Sequence, residues 1–351
     1  MGLLVFGPTK AAAEIEWSKS YAKQFMQEEG IPTARYKVFN VRTEALEYVR
    51  NQGLPLVIKA DGLAAGKGVV IAQTLTDAED AIEDMMSKKV HGDSGTRVVI
   101  EEYLEGFEIS IHAFCDSENA ILFPPSKDHK RISNGDIGPN TGGMGTITPV
   151  PCISEKDMEL IRNQIVLPTL TGLRKRGRPF HGILFPGVMI TKDGPKVIEF
   201  NARFGDPETQ SYMRILDTDL LDILYACVRG SLKNIEVKWS SQSACCIVLA
   251  SAGYPGSYDN GVAIESPKDT KEIVVFHAGT IMNDAVLVTN GGRVLGITAT
   301  GNTLKQALKS AYSGPLTYCG WMLERGFRFQ TRHLLLSIRL IYWSISTAMR
   351  R

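Results

Sequence analysis

This 351-residue chain has almost no net charge, no paired-cysteine motif and no apolar run of membrane length. Its 39 basic and 38 acidic side chains leave a formal charge of +1, so no basic footprint points to nucleic acid or a lipid surface. The six cysteines (115, 152, 227, 245, 246 and 319) include no CxxC and no Cys/His spacing suited to zinc. There is no Asn-x-Ser/Thr site, no signal peptide and no stretch near the ~20 apolar residues of a membrane helix. These absences lead to the expectation of a cytoplasmic protein with no nucleic-acid and no membrane partner. Cys245 and Cys246, inside ACCIVLA, are expected to be reduced core thiols.

What is present is glycine, 33 residues of it, clustered in loops, as expected where backbone must approach phosphates. The most informative stretch is IEFNARFGDPE, Ile198 to Glu208. Residues i and i+2 of a strand share a face, so Glu199 and Asn201 can reach one hard cation. Mg²⁺ is typically held by one or two carboxylates plus phosphate oxygens. Arg203, Asp206 and Glu208 follow at once. Metal ligand, cation and acid so close together point to phosphoryl transfer. A strand ending in a polar Gly/Asp-Pro turn explains the turn residues but not the Glu-x-Asn pair.

Three further stretches carry chemistry. VIKADGLAAGKGV (Val57–Val69) places Lys59 and Lys67 around a glycine loop in a strand–loop–strand unit. It is not a Walker A motif, because Lys67 is followed by Gly68 and no helix opens there. Gly66, Lys67 and Gly68 are expected to form a flap over phosphates, with Lys59 on inner oxygens. VVIEEYLEGFEIS (Val98–Ser110) offers Glu101, Leu104 and Glu108 as an acidic hinge for a purine; taken alone it reads more readily as a sheet edge with solvated glutamates. KDHKRISNGDIGPNTGGMGTITP (Lys127–Pro149) crowds Asp128, Lys130 and Arg131 before Asn140, Thr141, Gly142, Gly143, Met144 and Gly145. Basic residues followed by a glycine-rich nest suit an anionic, phosphorylated substrate.

Hydrophobic periodicity supplies the scaffold. A buried strand is expected at Leu3–Pro8, one helix over Ala11–Glu29, and a helix over Asp77–Lys88 capped by Thr76. Phe107–Cys115 reads as one strand and Ser126–Pro149 as a long loop. Glu155–Arg176 reads as a helix interrupted at Pro168, followed by a hairpin over Lys192–Gly194 and a helix over Leu216–Arg229. Short strands dominate from about Val237 to Tyr312.

Taken in order, these motifs resemble the ATP-grasp ligases and, more closely, the phosphoribosylamine–glycine ligase family. The match rests on FGPTKAAAEIEWSKSYAK, KADGLAAGKGV, DHKR…GDIGPNTGGMG, NARFGDPE, ASAGYPG, VFHAGT and NGGRVLGITA, and covers about residues 4 to 312. The resemblance implies an α+β fold: an ATP-grasp domain over residues 1–235 with two α+β subdomains sandwiching ATP, its flap subdomain at about 53–115, then a small β-rich domain over 236–313. It implies ATP with Mg²⁺ or Mn²⁺ as cofactors, and glycine and 5-phosphoribosylamine as substrates. Lys19 and Lys59 would contact phosphates, Lys67 would act from the flap, Glu101 and Leu104 would hold adenine and Glu108 the ribose. Glu199 and Asn201 would bind the metal, and Arg203 would stabilise the transferring phosphoryl group. Asp206 and the Asn140–Gly145 segment would face glycine and the phosphoribosyl substrate.

Two departures from the family stand out. The family begins with a further α/β domain that helps hold the amine substrate, and the chain starts where that domain would be ending. Residues 314–351 match no family motif and resemble a shifted reading frame. Besides a ligase, with other purine-pathway domains of a longer polypeptide as candidate partners, two alternatives follow: a fragment that binds ATP·Mg²⁺ with little or no turnover, or another ATP-grasp carboxylate–amine ligase.

Overall fold

A computed structural model describes residues 3–64, 68–133, 135–264 and 269–313. The described chain divides into two compact units. The first runs to Phe123 and adds Ile153–Phe204 and Asp219–Val237; the second takes Pro124–Cys152, Gly205–Thr218 and the described residues from Lys238 on.

The first unit opens with two helices, α1 (Glu14–Trp17) and α2 (Lys19–Glu28). The single helix expected over Ala11–Glu29 is broken at Ser18, which is extended (φ −122°, ψ 105°) and caps α2 by accepting from the Tyr21 N–H. Four antiparallel strands follow: β1 (Tyr36–Phe39), β2 (Leu56–Ala60), β3 (Val69–Ala72) and β4 (Val98–Glu102), ordered β1-β4-β2-β3. Ile58, Val98 and Ile100 from this sheet pack with Ala45 and Val49 of α3 (Arg42–Arg50) and Ala78 and Ile82 of α4 (Leu75–Ile82). The cap of α4 is Thr74 rather than Thr76, closed by Asp77 in a reciprocal capping box.

Phe107–Cys115 forms two strands rather than one, β5 (Phe107–Ser110) and β6 (Ala113–Asp116), and β7 (Ala120–Leu122) pairs with β6. The next four strands belong to the second unit: β8 (Lys127–Asp128), β9 (Arg131–Ser133), β10 (Ile137–Asn140) and β11 (Gly145–Thr148). The long loop expected there is therefore largely paired. Its last strand is buried along its length and pairs with a strand about a hundred residues further on, a partner that no local pattern announces.

The first unit resumes with α5 (Glu155–Ile161) and α6 (Leu167–Lys175), separated by a five-residue π segment that ends just before Pro168. The interruption expected at Pro168 is present, because proline cannot donate into the preceding turn. The long hairpin β12 (His181–Thr191) and β13 (Gly194–Asn201) follows, with β12 also pairing β5 and β6. Short α7 (Glu208–Tyr212) lies in the second unit, and α8 (Leu220–Arg229) in the first.

The second unit is built on β14 (Ser243–Ala250), β15 (Ile273–His277), the hairpin β16 (Thr280–Asn283) and β17 (Val286–Thr289), and β18 (Arg293–Gly301). Its main sheet runs β15-β18-β14-β11-β8. Ile147, Cys245, Ile247, Val294 and Ile297 form its core with Ala307 and Leu308. Cys245 and Cys246 are fully buried free thiols, as expected. The seam at Val237/Lys238 lies close to the expected boundary, but residues 124–152 and 205–218 cluster with the C-terminal sheet.

One expected element is absent. Leu3–Pro8 forms no strand, and Leu3 and Val5 are 78% and 71% exposed. An apolar run makes a strand only where a neighbouring edge accepts its backbone bonds. Among the described residues no helix is long and apolar enough to cross a membrane. The expectations for residues 314–351 lie outside the described residues.

Candidate nucleotide and substrate sites

In the first unit, β13 carries the expected metal pair. Gly187 faces Glu199 while Val188 faces Val197, so Ile198 is the extra residue of a bulge. Glu199 and Asn201 follow it, half-buried and two residues apart. The Asn201 amide donates to the Phe185 carbonyl (3.3 Å), and its oxygen accepts from Arg203 Nη2 (3.2 Å). Glu16 of α1 secures the turn from the other side: Oε2 accepts from the Ala202 N–H (2.8 Å) and Oε1 from Arg203 Nε (3.1 Å). Arg203 also donates to the Phe204 carbonyl. Its guanidinium is thus held by three partners, with half of the side chain open to solvent.

Beneath this strand lies a buried group of three charges. Glu101 of β4 makes ion pairs with Lys59 of β2 (Oε1, 2.9 Å) and Lys23 of α2 (Oε2, 2.9 Å). All three are at least 97% buried. Lys59 also donates to the Ile198 carbonyl (3.0 Å), the bulge residue beside Glu199. Lys23 donates to Thr33 Oγ1 (2.7 Å), whose hydroxyl donates to the Val197 carbonyl (2.7 Å). Burial pushes the Lys23 ammonium down to about 8, with Glu101 opposing the shift. The Glu101 carboxylate, expected at a purine, is therefore the counter-ion of two lysines.

Lys19 opens α2 and donates to the Gly62 carbonyl (3.0 Å). Burial lowers its pKa, and the nearby Glu199 carboxylate is the largest opposing influence, so Lys19 shares the neighbourhood of the metal pair. Leu104, just past β4, and Glu108, on β5 opposite Met189, are half-buried. Gly66 and Lys67 lie outside the described residues. Gly68 is described, and a Cβ there would meet Ala64 Cβ at 2.6 Å.

In the second unit, the Asp128–Gly145 segment is held mainly through backbone. Thr141 returns its N–H (2.7 Å) and hydroxyl (2.8 Å) to the Lys130 carbonyl, and Met144 N–H donates to the His129 carbonyl. Arg131 donates to the Gly138 carbonyl (2.7 Å), and Asn140 pairs with Arg131 across the β9–β10 hairpin. Gly143 has φ +110°, and a Cβ there would sit 2.6 Å from Asp128 Oδ1 and from Pro207 Cδ. Gly145 would press a Cβ against the Cys246 carbonyl at 2.5 Å. Arg293 of β18 ties the segment to the Asp206 turn. Its guanidinium donates to the carbonyls of Gly142 (2.7 Å) and Asp206 (2.9 Å) and to the Asp206 carboxylate (3.0 Å). Gly142 N–H donates to the Tyr254 hydroxyl (2.9 Å), and Gln210 donates to the other Asp206 oxygen.

The structure thus brings Lys19, Lys59, Glu101, Glu199, Asn201 and Arg203 together in the first unit, and Asp128, Gly142, Gly143 and Asp206 together in the second. Glu16, Lys23, Thr33 and Arg293 were not anticipated as site residues. Lys23 follows Lys19 at i+4, the spacing that places both on one helix face, and that repeat is the signal that could have found it. The Glu199–Asn201 donors fit Mg²⁺: hard oxygens of one carboxylate and one amide, with no cluster of three or more His, Cys, Asp or Glu ligands among the described residues. Such a set leaves coordination positions for phosphate oxygens and water.

Comparisons with known proteins accord with this geometry. The family model of the phosphoribosylglycinamide synthetase ATP-grasp (A) domain matches residues 17–209, and that of the C domain matches residues 244–318. A phosphoribosylamine–glycine ligase of Caldanaerobacter subterraneus is 48% identical over 311 residues, covering 89% of this chain and 75% of the relative. One from Halalkalibacterium halodurans is 50% identical over 312 residues, covering 89% and 72%. The crystal structure of the Thermotoga maritima phosphoribosylamine–glycine ligase superposes with a TM-score of 0.81 at 36% identity, over 93% of this chain and 80% of that one. A biotin carboxylase domain from Hydrogenobacter thermophilus, solved in complex with MgADP, shares the fold alone (TM-score 0.71, 15% identity, 90% and 69% covered). The α+β ATP-grasp fold, the order of the two domains and the motifs from Lys19 to Arg293 together make this chain a member of the phosphoribosylamine–glycine ligase family.

Proposed function

We propose that this chain joins glycine to 5-phosphoribosylamine at the expense of ATP, giving glycinamide ribonucleotide, ADP and phosphate in purine biosynthesis. The observation that carries this reading is the 48% identity over 311 residues to a ligase of this name. A cytoplasmic setting is part of the same proposal.

The chemistry asks for positioning and charge neutralisation rather than a protein nucleophile. A glycine carboxylate oxygen bonds to the γ-phosphorus of ATP while the β–γ bridging bond breaks, releasing ADP. The amine nitrogen of phosphoribosylamine then bonds to the acyl carbon of glycyl phosphate. The acyl C–O bond breaks, phosphate leaves, and the nitrogen loses a proton. Lys19 and Lys59 would neutralise phosphate oxygens, and Arg203 would meet the transferring group from a guanidinium already oriented by Glu16. Glu199 and Asn201 would hold Mg²⁺ or Mn²⁺, which when bound supplies further neutralisation of the triphosphate. Asp206 and the Asn140–Gly145 segment, with Asp128, Lys130 and Arg131, would receive glycine and the phosphoribosyl group.

The test is a coupled ADP-release assay with glycine and freshly prepared phosphoribosylamine. ADP release dependent on both substrates is expected. Nucleotide binding without glycine-dependent ADP release would overturn the ligase reading, and turnover with other carboxylates in place of glycine would reassign the substrate.

A further inference from the structure

The buried charges beneath the nucleotide half do not balance. Lys23, Lys59 and Glu101 sum to +1, and all three are at least 97% buried. Desolvating a charge is costly, and one lysine would suffice to neutralise Glu101. The second lysine therefore needs a reason. Its placement supplies one. Lys23 occupies Oε2 of Glu101 and leaves Lys59 only Oε1. Lys59 spends one N–H on the Ile198 carbonyl. Without Lys23, Glu101 and Lys59 would cancel, and the site would present a neutral pair to a polyanion.

The same group grips the metal strand. Through Thr33 and Lys59 its two ends hold the successive carbonyls of Val197 and Ile198, just before Glu199. A Thr33–Val197 bridge and the Val197 N–H to Pro32 carbonyl bond (2.8 Å) fix the same point from the backbone. The strand is thus already held without Lys23, which places the main effect of Lys23 in charge rather than in support.

We infer that Lys23 is a positioning residue: by neutralising Glu101 it leaves Lys59 a full unit of positive charge for the ATP polyphosphate. This rests on the nucleotide reading above. Lys23 itself touches no substrate.

Calorimetric titration of the full chain with ATP and with adenosine tests it. In K23M the group sums to zero, and ATP affinity is expected to fall about tenfold relative to adenosine. In K23M/E101Q the sum returns to +1 and the ATP preference should recover. In E101Q alone Lys59 has no counter-ion and Lys23 loses the carboxylate that opposes its shift, so the preference should be at least that of the wild type. K23R should match the wild type. A parallel loss for ATP and adenosine in K23M, or a double variant worse than the single, would overturn the inference. So would an E101Q preference below wild type, a readout that stands even if K23M fails to fold. A wild-type chain that binds ATP no tighter than adenosine would instead sink the nucleotide reading itself.

Discussion

The two halves of the candidate machinery are built by opposite means. In the first unit, the candidate residues are charged side chains whose partners are other charges and strand carbonyls: buried Glu101 between two lysines, buried Lys59 on Ile198, half-exposed Arg203 on Glu16. In the second, the candidate segment is defined by backbone shape. Gly142, Gly143 and Gly145 sit where a Cβ would meet Arg293, Asp128 or Cys246 within 3 Å, and one arginine gathers four oxygens. A polyphosphate with its cation needs fixed charge in a dry setting, where Coulomb terms are large. A small amino acid and a sugar phosphate need a contoured backbone offering N–H groups. The contrast predicts that charge changes in the first unit alter nucleotide terms, and that volume changes in the second alter substrate terms alone.

The largest expected effect is Glu199→Gln, which removes the carboxylate of the metal pair while keeping shape. Ligase turnover should fall about 100-fold or more, with Mg²⁺-dependent ATP affinity reduced by about tenfold to 100-fold and the melting temperature little changed. Unaltered Mg²⁺ dependence of nucleotide binding would remove Glu199 from the metal site. Next comes Gly143→Ala. The φ of +110° and the 2.6 Å approaches to Asp128 and Pro207 force the segment to shift, at a local cost of about 1–3 kcal/mol. Substrate KM values should rise at least about tenfold while ATP affinity measured by calorimetry holds. A matching loss of ATP affinity would break the contrast between the units.

Arg293→Lys sharpens the comparison further, because charge is kept and only geometry is lost. An ammonium cannot span the Gly142 carbonyl, the Asp206 carbonyl and the Asp206 carboxylate as the planar fork does. A rise of about fivefold in glycine or amine KM, roughly 1 kcal/mol, is expected, with ATP binding unchanged. Steady-state kinetics at saturating ATP reads this directly.

The same contrast governs what the sequence reveals. Glu199, Asn201, Arg203 and Lys59 are legible because strand alternation and a run of unusual polar residues announce them within a dozen positions. Lys23 is harder to find because its neighbours Ala22, Phe25 and Met26 are core residues, and beyond its i+4 spacing from Lys19 nothing marks it until Glu101, 78 positions later, is brought beside it. The pairing of Glu101 with two lysines is hidden for the same reason. In the second unit the glycines are visible as a run, but what makes them necessary lies far away in the chain, at Asp128, Pro207, Cys246 and Arg293. The burial of β11 likewise depends on pairing with β14, so local polarity suggests a loop. Thr74 closes its capping box with Asp77, while Thr76 has an equivalent candidate in Glu79, so the local pattern does not choose between them.

The smallest effect concerns pH and separates the units through their histidines. His129 of the second unit is pushed down to about 4, mainly by burial and then by Lys127, while its Gly145 contact opposes the shift. In the unfolded chain the imidazole titrates near its ordinary value of about 6.5. Between these values the unfolded state binds the extra proton, so stability falls as pH drops. From pH 7 to pH 5.5 the loss from this group is about 1 kcal/mol. His112 of the first unit, buried against Phe185 and brought down to about 3, adds a loss of the same sign. The His129→Gln variant should keep the His112 share and lose only its own. Urea midpoints of the wild type should fall more steeply between pH 7 and pH 5.5 than those of the variant. Equal slopes would show that His129 is protonated in the folded chain, and the acid sensitivity would then belong to the first unit.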